Sequence, residues 1–220
     1  MIRKCDLSEA TDGKIYGPED MVRIGCEECS GCSACCHEMG DSIWLDPSDA
    51  ARLTLHLNKS FDALLGEKIG LQVEDGIILP SLILKENTGC VFLDGEERCS
   101  IHEFRPGLCR LFPLGRIYTE DKVQYVLLKN VCRKENGRSK MKLKAWLGIK
   151  DLEEYQSFLL CWYRFLKDAQ AKAMAADEAT RKNICMEILN GLYRTPYQPE
   201  LPLYPQIKER IWNINPEIRS

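Results

Sequence analysis

The sequence predicts an α+β protein in which a small cysteine-rich portion, built from short hairpins and helices, precedes a helical C-terminal portion. β-branched segments centred on turns lie in the first part of the chain, whereas helical spacing of apolar residues dominates after residue 139. Cysteine usage changes in the same direction, because ten of the twelve cysteines lie at or before Cys132. We therefore predict a cysteine-rich domain over 1–135 and a helical extension over 136–220, packed together as one unit.

In the first portion, Asp46 is a suitable N-cap and Pro47 suits the first helical position, which predicts a helix ending near residue 57. β-branched residues on both sides of the Asp75-Gly76 pair predict a hairpin over 68–85. A second hairpin is expected over 114–129. Together these elements are typical of a compact portion with short connections.

The second portion begins with "SKMKLKAWLG", which predicts a short basic helix ending at Gly148. A long helix follows, because apolar residues recur at positions 152, 155, 158, 159, 162, 163 and 166. Another helix is expected to end near Gly191. The proline-bearing tail from Thr195 is expected to be extended and packed through its tyrosines and Trp212.

Composition sets limits on function. The 220 residues are 45% hydrophobic and 29% charged, so a core can form without disulfide staples. The net charge of −3 makes nucleic acid an unlikely partner, and no apolar run reaches the roughly 20 residues of a membrane span. The N-terminal segment has no secretion signal, which predicts a cytoplasmic protein.

Clustered cysteines in a reducing cytosol are more often metal ligands or redox centres than disulfide partners. The stretch "CEECSGCSACC" repeats the C-x-x-C spacing at Cys26–Cys29, Cys29–Cys32 and Cys32–Cys35, and such spacing turns the backbone around a metal. It is similar to the three-ligand segment of ferredoxin-type iron–sulfur sites, without their fourth cysteine before proline. The spacing therefore indicates a metal but not which metal.

The neighbouring Cys35 and Cys36 add a constraint. Adjacent side chains diverge by about 100° in a helix and point to opposite faces in a strand. We therefore expect the two thiols to serve separate metals or different corners of a polynuclear centre. The downstream segment "GCVFLDGEERCSIHEFRPGLCRLFPLG" would complete the coordination, together with Cys132.

The pairing of C-x-x-C-x-x-C-C with "GCVFL…CSIHEFRPGLCRLFP" resembles the YkgJ-type cysteine-cluster family of zinc- or iron-chelating domains, over roughly residues 26–135. The resemblance does not extend to the helical portion. Cys26 lies one step beyond the family pattern and is either an alternative ligand or a bystander. The ligand set that the resemblance implies is Cys29, Cys32, Cys35, Cys36, Cys90, Cys99, Cys109 and Cys132.

A broader similarity to flagellin lysine N-methylases favours an iron–sulfur cluster slightly over Zn²⁺. The first hypothesis is a cytoplasmic metal-binding protein whose centre organises the fold. Two alternatives stay open: a cluster-dependent enzyme that performs protein lysine methyl transfer or redox chemistry on a protein substrate, and a metal-handling module whose helices dock a protein partner. An open coordination position would favour the enzyme, and full thiolate coordination the structural role.

Charged residues beside the cysteines are expected to support the centre. Arg105 and Arg110 flank Cys109 and could offset thiolate charge from the second shell, or Arg105 could pair with Glu103. His37 and His102 are close in sequence to ligands but are not needed, since eight cysteines suffice for two tetrahedral sites. The isolated Cys5, Cys161 and Cys185 are expected to be small hydrophobes in the packing.

Overall fold

The computed structural model of the chain describes residues 7–25, 32–39, 43–85, 89–132 and 139–219. Its elements confirm the α+β class, with short antiparallel hairpins and a helical C-terminal part. The α-helices in these ranges are α1 (Leu7–Ala10), α2 (Ala34–Glu38), α3 (Pro47–Leu57), α4 (Phe61–Leu64), α5 (Gly107–Leu111), α6 (Leu143–Leu147), α7 (Leu152–Ala175), α8 (Glu178–Ile188) and α9 (Leu203–Ile214). The strands are β1 (Met21–Gly25), β2 (Ile69–Glu74), β3 (Ile77–Leu82), β4 (Leu84–Lys85), β5 (Gly89–Cys90), β6 (Leu114–Tyr118), β7 (Val123–Leu127) and β8 (Ser139–Lys142). Among the described helices, none has both the length and the apolarity needed to cross a membrane.

Both predicted hairpins are confirmed. β2 and β3 pair antiparallel, and the connecting Asp75 and Gly76 have φ values of 47° and 82°. Two successive positive φ values match the right-handed twist of the strands, and Asp-Gly adopts them readily. The second hairpin, β6 with β7, places Leu114 opposite Leu127.

Helix α3 begins as predicted. The Asp46 carboxylate accepts a hydrogen bond from the Asp49 backbone N–H at 2.9 Å, while the Asp49 carboxylate accepts one from the Asp46 backbone N–H at 3.4 Å. Pro47 occupies the first turn, where its missing N–H costs nothing. The reciprocal cap satisfies two backbone donors that the helix cannot pair internally.

The prediction of one helix over 139–148 is wrong in its first half. Strand β8 pairs antiparallel with β1 from the other end of the cysteine-rich segment, and α6 follows it. Within the pair, Met141 lies opposite the buried Val22. Tertiary pairing has therefore overridden the local helical preference of this basic stretch.

The prediction of an extended C-terminal tail is also wrong, since helix α9 lies within it. Pro205 lies in the first turn of this helix, where proline is tolerated, and Ile207 and Ile211 are buried on one face. Helix α9 packs against α7 and α3. The hydroxyl of Tyr193 donates a 3.0 Å hydrogen bond to the carbonyl of Leu45, which adds a second link between the two portions.

A single hydrophobic core contains side chains from both predicted portions, including Leu53 of α3 and Phe158 of α7. Described side chains from before and after residue 135 therefore share one core. The division of the chain into two portions at residue 135 stays a prediction, and the pairing of β1 with β8 crosses it.

A buried polar junction fixes α5 against α3 and α7. The backbone N–H of Gly107 donates to the Asp49 carboxylate at 2.9 Å, and Arg116 donates to the Tyr155 hydroxyl at 2.7 Å. A Cβ atom at Gly107 would lie 2.5 Å from that hydroxyl and 2.9 Å from the Arg116 guanidinium. Only glycine lets α5, which carries Cys109, approach this closely.

The close approach predicts that Gly107→Ala destabilises the protein by about 1–3 kcal/mol, because the added methyl must displace buried polar groups. Gly95→Ala is the matched control, since a Cβ atom there meets nothing within 4 Å. Urea denaturation followed by circular dichroism measures both changes. Equal midpoints for the two variants would contradict the proposed packing.

Candidate metal centre

The first cysteine segment enters the described structure at Cys32, which is exposed. Cys26 and Cys29 lie outside the described residues, as does Cys5. Helix α2 then carries Cys35 and Cys36, both half-buried. The outcome for Cys29 as a ligand, and for Cys26 as a bystander, therefore stays a prediction.

Helix α2 is held by the turn that precedes Cys99. Glu97 accepts a 2.6 Å hydrogen bond from the Ser33 hydroxyl, and the same oxygen lies 2.7 Å from Nε2 of His37. Both contacts lower the pKa of the exposed Glu97, and the Ser33 hydrogen bond has the larger effect. His37 thus contacts a carboxylate through Nε2, and its described role is to fix the helix.

On its other side, α2 lies against β5. A Cβ atom at Gly89 would be 2.6 Å from Nδ1 of His37 and 2.9 Å from the carbonyl oxygen of Cys36. Gly89 also has φ of 75°, which side chains disfavour. Glycine at this position is what allows the helix to reach the strand that carries Cys90.

Cys90 and Cys99 have the same local arrangement. The sulfur of Cys90 accepts a hydrogen bond from the backbone N–H of Phe92, and the sulfur of Cys99 accepts one from that of Ile101. In each case the donor lies two residues further along the chain. A backbone N–H directed at sulfur stabilises the thiolate, which is the form that binds metals.

The structure brings five of the sequence-predicted ligands into one electrostatic neighbourhood. Cys109 interacts with Cys90, Cys35 and Cys99, and Cys36 interacts with Cys35, Cys90 and Cys99. These cysteines come from three separate stretches, namely α2, the β5–turn segment and α5. The interactions described for them do not include Cys32 or Cys132. The five, called the thiol cluster below, are Cys35, Cys36, Cys90, Cys99 and Cys109.

Within the cluster the adjacent thiols influence each other's ionisation. A side-chain hydrogen bond between Cys35 and Cys36 lowers the pKa of Cys35 and raises that of Cys36. Whether the two thiols bind separate metals or different corners of a polynuclear centre stays a prediction.

Burial opposes ionisation elsewhere in the cluster. It is the largest cause of the raised pKa of Cys90, Cys99 and Cys109, and neighbouring cysteines add to it. Bringing several thiolates together in a partly dehydrated site is unfavourable unless positive charge is supplied. A bound metal cation would supply it.

The protein itself provides some positive charge. Arg105 favours the ionised forms of Cys35 and Cys99, and Lys68 does the same for Cys90. Lys68 donates to the carbonyl of Val91 at 3.2 Å, which holds its ammonium close to the strand. The sequence reasoning missed Lys68, because a lysine 22 residues before Cys90 has no motif to mark it.

The two arginines that flank Cys109 differ in their surroundings. Arg105 donates to Nε2 and to the carbonyl oxygen of His102, at 2.5 and 3.1 Å. Burial and then the Arg105 charge lower the pKa of His102. Arg110 instead donates to the carbonyl of Glu103 at 2.7 Å and lines a groove described below.

Cys161 and Cys185 fit the prediction that they pack as small hydrophobic side chains. Both are buried in the core. The thiol of Cys185 donates to the carbonyl of Gly76 at 3.7 Å, away from the thiol cluster.

The donor chemistry fits a thiolate-bound metal. The described cysteines are free thiols, the cluster combines them with cationic side chains, and soft sulfur ligands suit zinc and iron–sulfur centres. Within the described ranges, no three His, Cys, Asp or Glu side chains are already arranged to hold one ion. The structure thus shows a shared neighbourhood and not a finished coordination shell.

Comparison with known proteins finds a family match over part of the chain. The model of the CxxCxxCC family, described as a "Putative zinc- or iron-chelating domain", matches residues 28–133. No curated protein and no solved structure matches the chain, so similarity to flagellin lysine N-methylases is not shown. The matched range contains the whole thiol cluster and the eight cysteines that the sequence resemblance implied. Over residues 28–133, just under half of the chain, the protein is similar to the zinc- or iron-chelating domains of the CxxCxxCC family.

Proposed function

We propose that the protein is a cytoplasmic metal-binding protein whose cysteines hold an iron–sulfur cluster or zinc. The observation that carries the proposal is the thiol cluster, in which cysteines from three distant stretches interact with one another. The family match supports chelation of zinc or iron over the same residues. The proposed ligands are Cys29, Cys32, Cys35, Cys36, Cys90, Cys99, Cys109 and Cys132.

Between the two kinds of centre we prefer the iron–sulfur cluster. A polynuclear centre offers several metal atoms, so the adjacent thiols of Cys35 and Cys36 could bind different ones without competing for one coordination position. Backbone N–H groups directed at Cys90 and Cys99 would also tune such a cluster, since hydrogen bonds to sulfur shift its potential. When bound, the cluster would supply electron transfer, whereas zinc would supply a structural cross-link.

The protein's own residues would prepare the site in two ways. Arg105 and Lys68 would offset thiolate charge, and the contacts of Glu97 with Ser33 and His37 would hold α2 in reach of the second segment. Arg110, which directly follows Cys109 and interacts with Arg105, would add positive charge beside the cluster. Because ligands from distant stretches meet only in the folded chain, metal binding would contribute directly to folding free energy.

The comparisons do not favour a cluster-dependent methyl-transfer or redox enzyme, and we do not propose one. A metal-handling role with a protein partner also has no specific observation to support it.

The identity of the centre is tested by anaerobic purification followed by iron, zinc and acid-labile sulfide analysis. We expect brown protein that contains iron and sulfide. Colourless protein with stoichiometric zinc would overturn the preference for iron–sulfur and leave the ligand proposal standing. Protein that binds neither metal after reconstitution would overturn the proposed function.

Ligands are separated from bystanders by substitution. Cys109→Ser replaces a thiolate with a poor ligand, so metal content should fall and the cysteine-rich part should become sensitive to protease. Cys185→Ser is the control, because a serine hydroxyl can keep the donor role toward the Gly76 carbonyl and metal content should not change. We expect Cys26→Ser to retain the metal. If Cys26→Ser loses the metal while Cys36→Ser retains it, the first centre must instead be built from Cys26, Cys29, Cys32 and Cys35.

The close contact between α2 and β5 is tested by substitution of Gly89. Gly89→Ala should lower metal content, because the new methyl would collide with His37 and the Cys36 backbone. Gly66→Ala is a matched control, since Gly66 has φ of 77° but a Cβ atom there meets nothing within 4 Å. Both variants carry the same backbone penalty, so equal metal content by elemental analysis would refute the role of this contact.

A further inference from the structure

A groove separate from the thiol cluster lies where five parts of the fold meet. Helices α3, α5 and α9, the turn at His102–Phe104 and the loop between α6 and α7 enclose a cavity of about 270 Å³. The sequence reasoning assigned no role to it, apart from placing Arg110 near the metal centre.

Two half-buried guanidinium groups face this groove. Arg52 donates to the Tyr204 hydroxyl at 2.5 Å, and its contact with the Asp49 carboxylate is loose at 3.8 Å. Arg110 uses Nη2 for the Glu103 carbonyl, and within the described residues no carboxylate forms an ion pair with it.

The charges nearest Arg110 do not compensate it. Those that act on it most strongly are the like charges of Arg105 and Arg52, ahead of the Asp49 carboxylate. Arg52 differs, because burial lowers its pKa but the Asp49 carboxylate is the strongest neighbouring charge that raises it. Arg110 thus supplies positive charge that no carboxylate pairs with in the described residues, and an incoming anion would neutralise it.

The remaining walls are aromatic and apolar. The rings of His56 and Phe104 stack with centroids 4.3 Å apart, and the Arg52 guanidinium lies 5.7 Å from the centre of the Tyr204 ring. Ile149 adds an aliphatic side chain. Such walls favour a ligand with an apolar body in addition to its charged group.

The exposed edge of the groove carries charges of both signs. Lys150 would attract an anion, whereas Glu103 and Asp151 would repel one that carries many charges. Extended polyanions such as nucleic acids are therefore disfavoured, and a small ligand with one anionic head is favoured.

We propose that this groove binds a small organic anion, with a carboxylate or phosphate head between Arg52 and Arg110 and an apolar body against Phe104 and Tyr204. A planar guanidinium fork can donate two hydrogen bonds to either kind of head. The site does not depend on the identity of the metal.

Isothermal titration of the metal-loaded protein with benzoate, phenyl phosphate and benzamide tests the proposal. We expect saturable binding of at least one anion, weakened by added salt, and no comparable binding of neutral benzamide. Preference for benzoate assigns a carboxylate site and preference for phenyl phosphate assigns a phosphate site. Equal binding of benzamide, or no binding of either anion in the millimolar range, would overturn the proposal.

Variants locate the binding to the groove. Arg110→Gln should weaken binding of the preferred anion by at least about tenfold, since it removes a charged donor. Lys150→Gln, on the exposed edge, should weaken it several-fold without unfolding the protein. Lys182→Gln on α8 is the control and should bind as the unchanged protein does.

Circular dichroism and metal analysis accompany each titration, which separates loss of the groove from loss of the fold or the metal. If Arg110→Gln misfolds, Lys150→Gln still decides the outcome. Unchanged affinity in folded Lys150→Gln and Arg52→Gln variants would place the binding elsewhere and overturn the assignment.

Discussion

Gathering thiols that repel one another once ionised is the constraint on which the rest of this structure depends. Five cysteines share a partly dehydrated neighbourhood, and burial alone resists the charge that metal binding requires. Backbone N–H groups directed at Cys90 and Cys99, and the positive charges of Lys68 and Arg105, lower the pKa of these thiols and so oppose the effect of burial. These compensations lie on different parts of the chain, so the neighbourhood exists only when those parts are assembled.

Assembly relies on contacts at a distance from sulfur. The Glu97 carboxylate holds α2 from one side and Gly89 admits it from the other. Helix α5 is positioned by the Gly107–Asp49 hydrogen bond, in which the carboxylate belongs to the capping box of α3. A residue in the first turn of α3 thereby helps to place Cys109 on α5.

Local signals predicted much of this from sequence. The Asp46-Pro47 start of α3 and the Asp75-Gly76 turn each depend on a few neighbouring residues, and both were confirmed. The errors arose where distant partners decide. Ser139–Lys142 became a strand because β1 was available to pair with it, and the tail became α9 because α7 offered an apolar face.

The residues of the candidate site also fall into those that local sequence patterns identified and those that they did not. C-x-x-C spacing marked the cysteines, because ligand spacing is local. Lys68 and Glu97 could not be found, since their importance comes from positions in space far from their positions in the chain.

The pairing of β1 with β8 has a topological consequence. It places the residues just before position 26 beside those just after position 138. The cysteine-rich segment therefore starts and finishes at the same place in the fold. The conformational entropy lost in joining those ends is offset by strand pairing and core packing, and the metal need not compensate for it. Leu53 inside the segment and Phe158 outside it belong to the same hydrophobic core, so the segment is packed into the rest of the fold and not appended to it. Strands β1 and β8 thus close a long loop of the chain whose buried side chains belong to the common core.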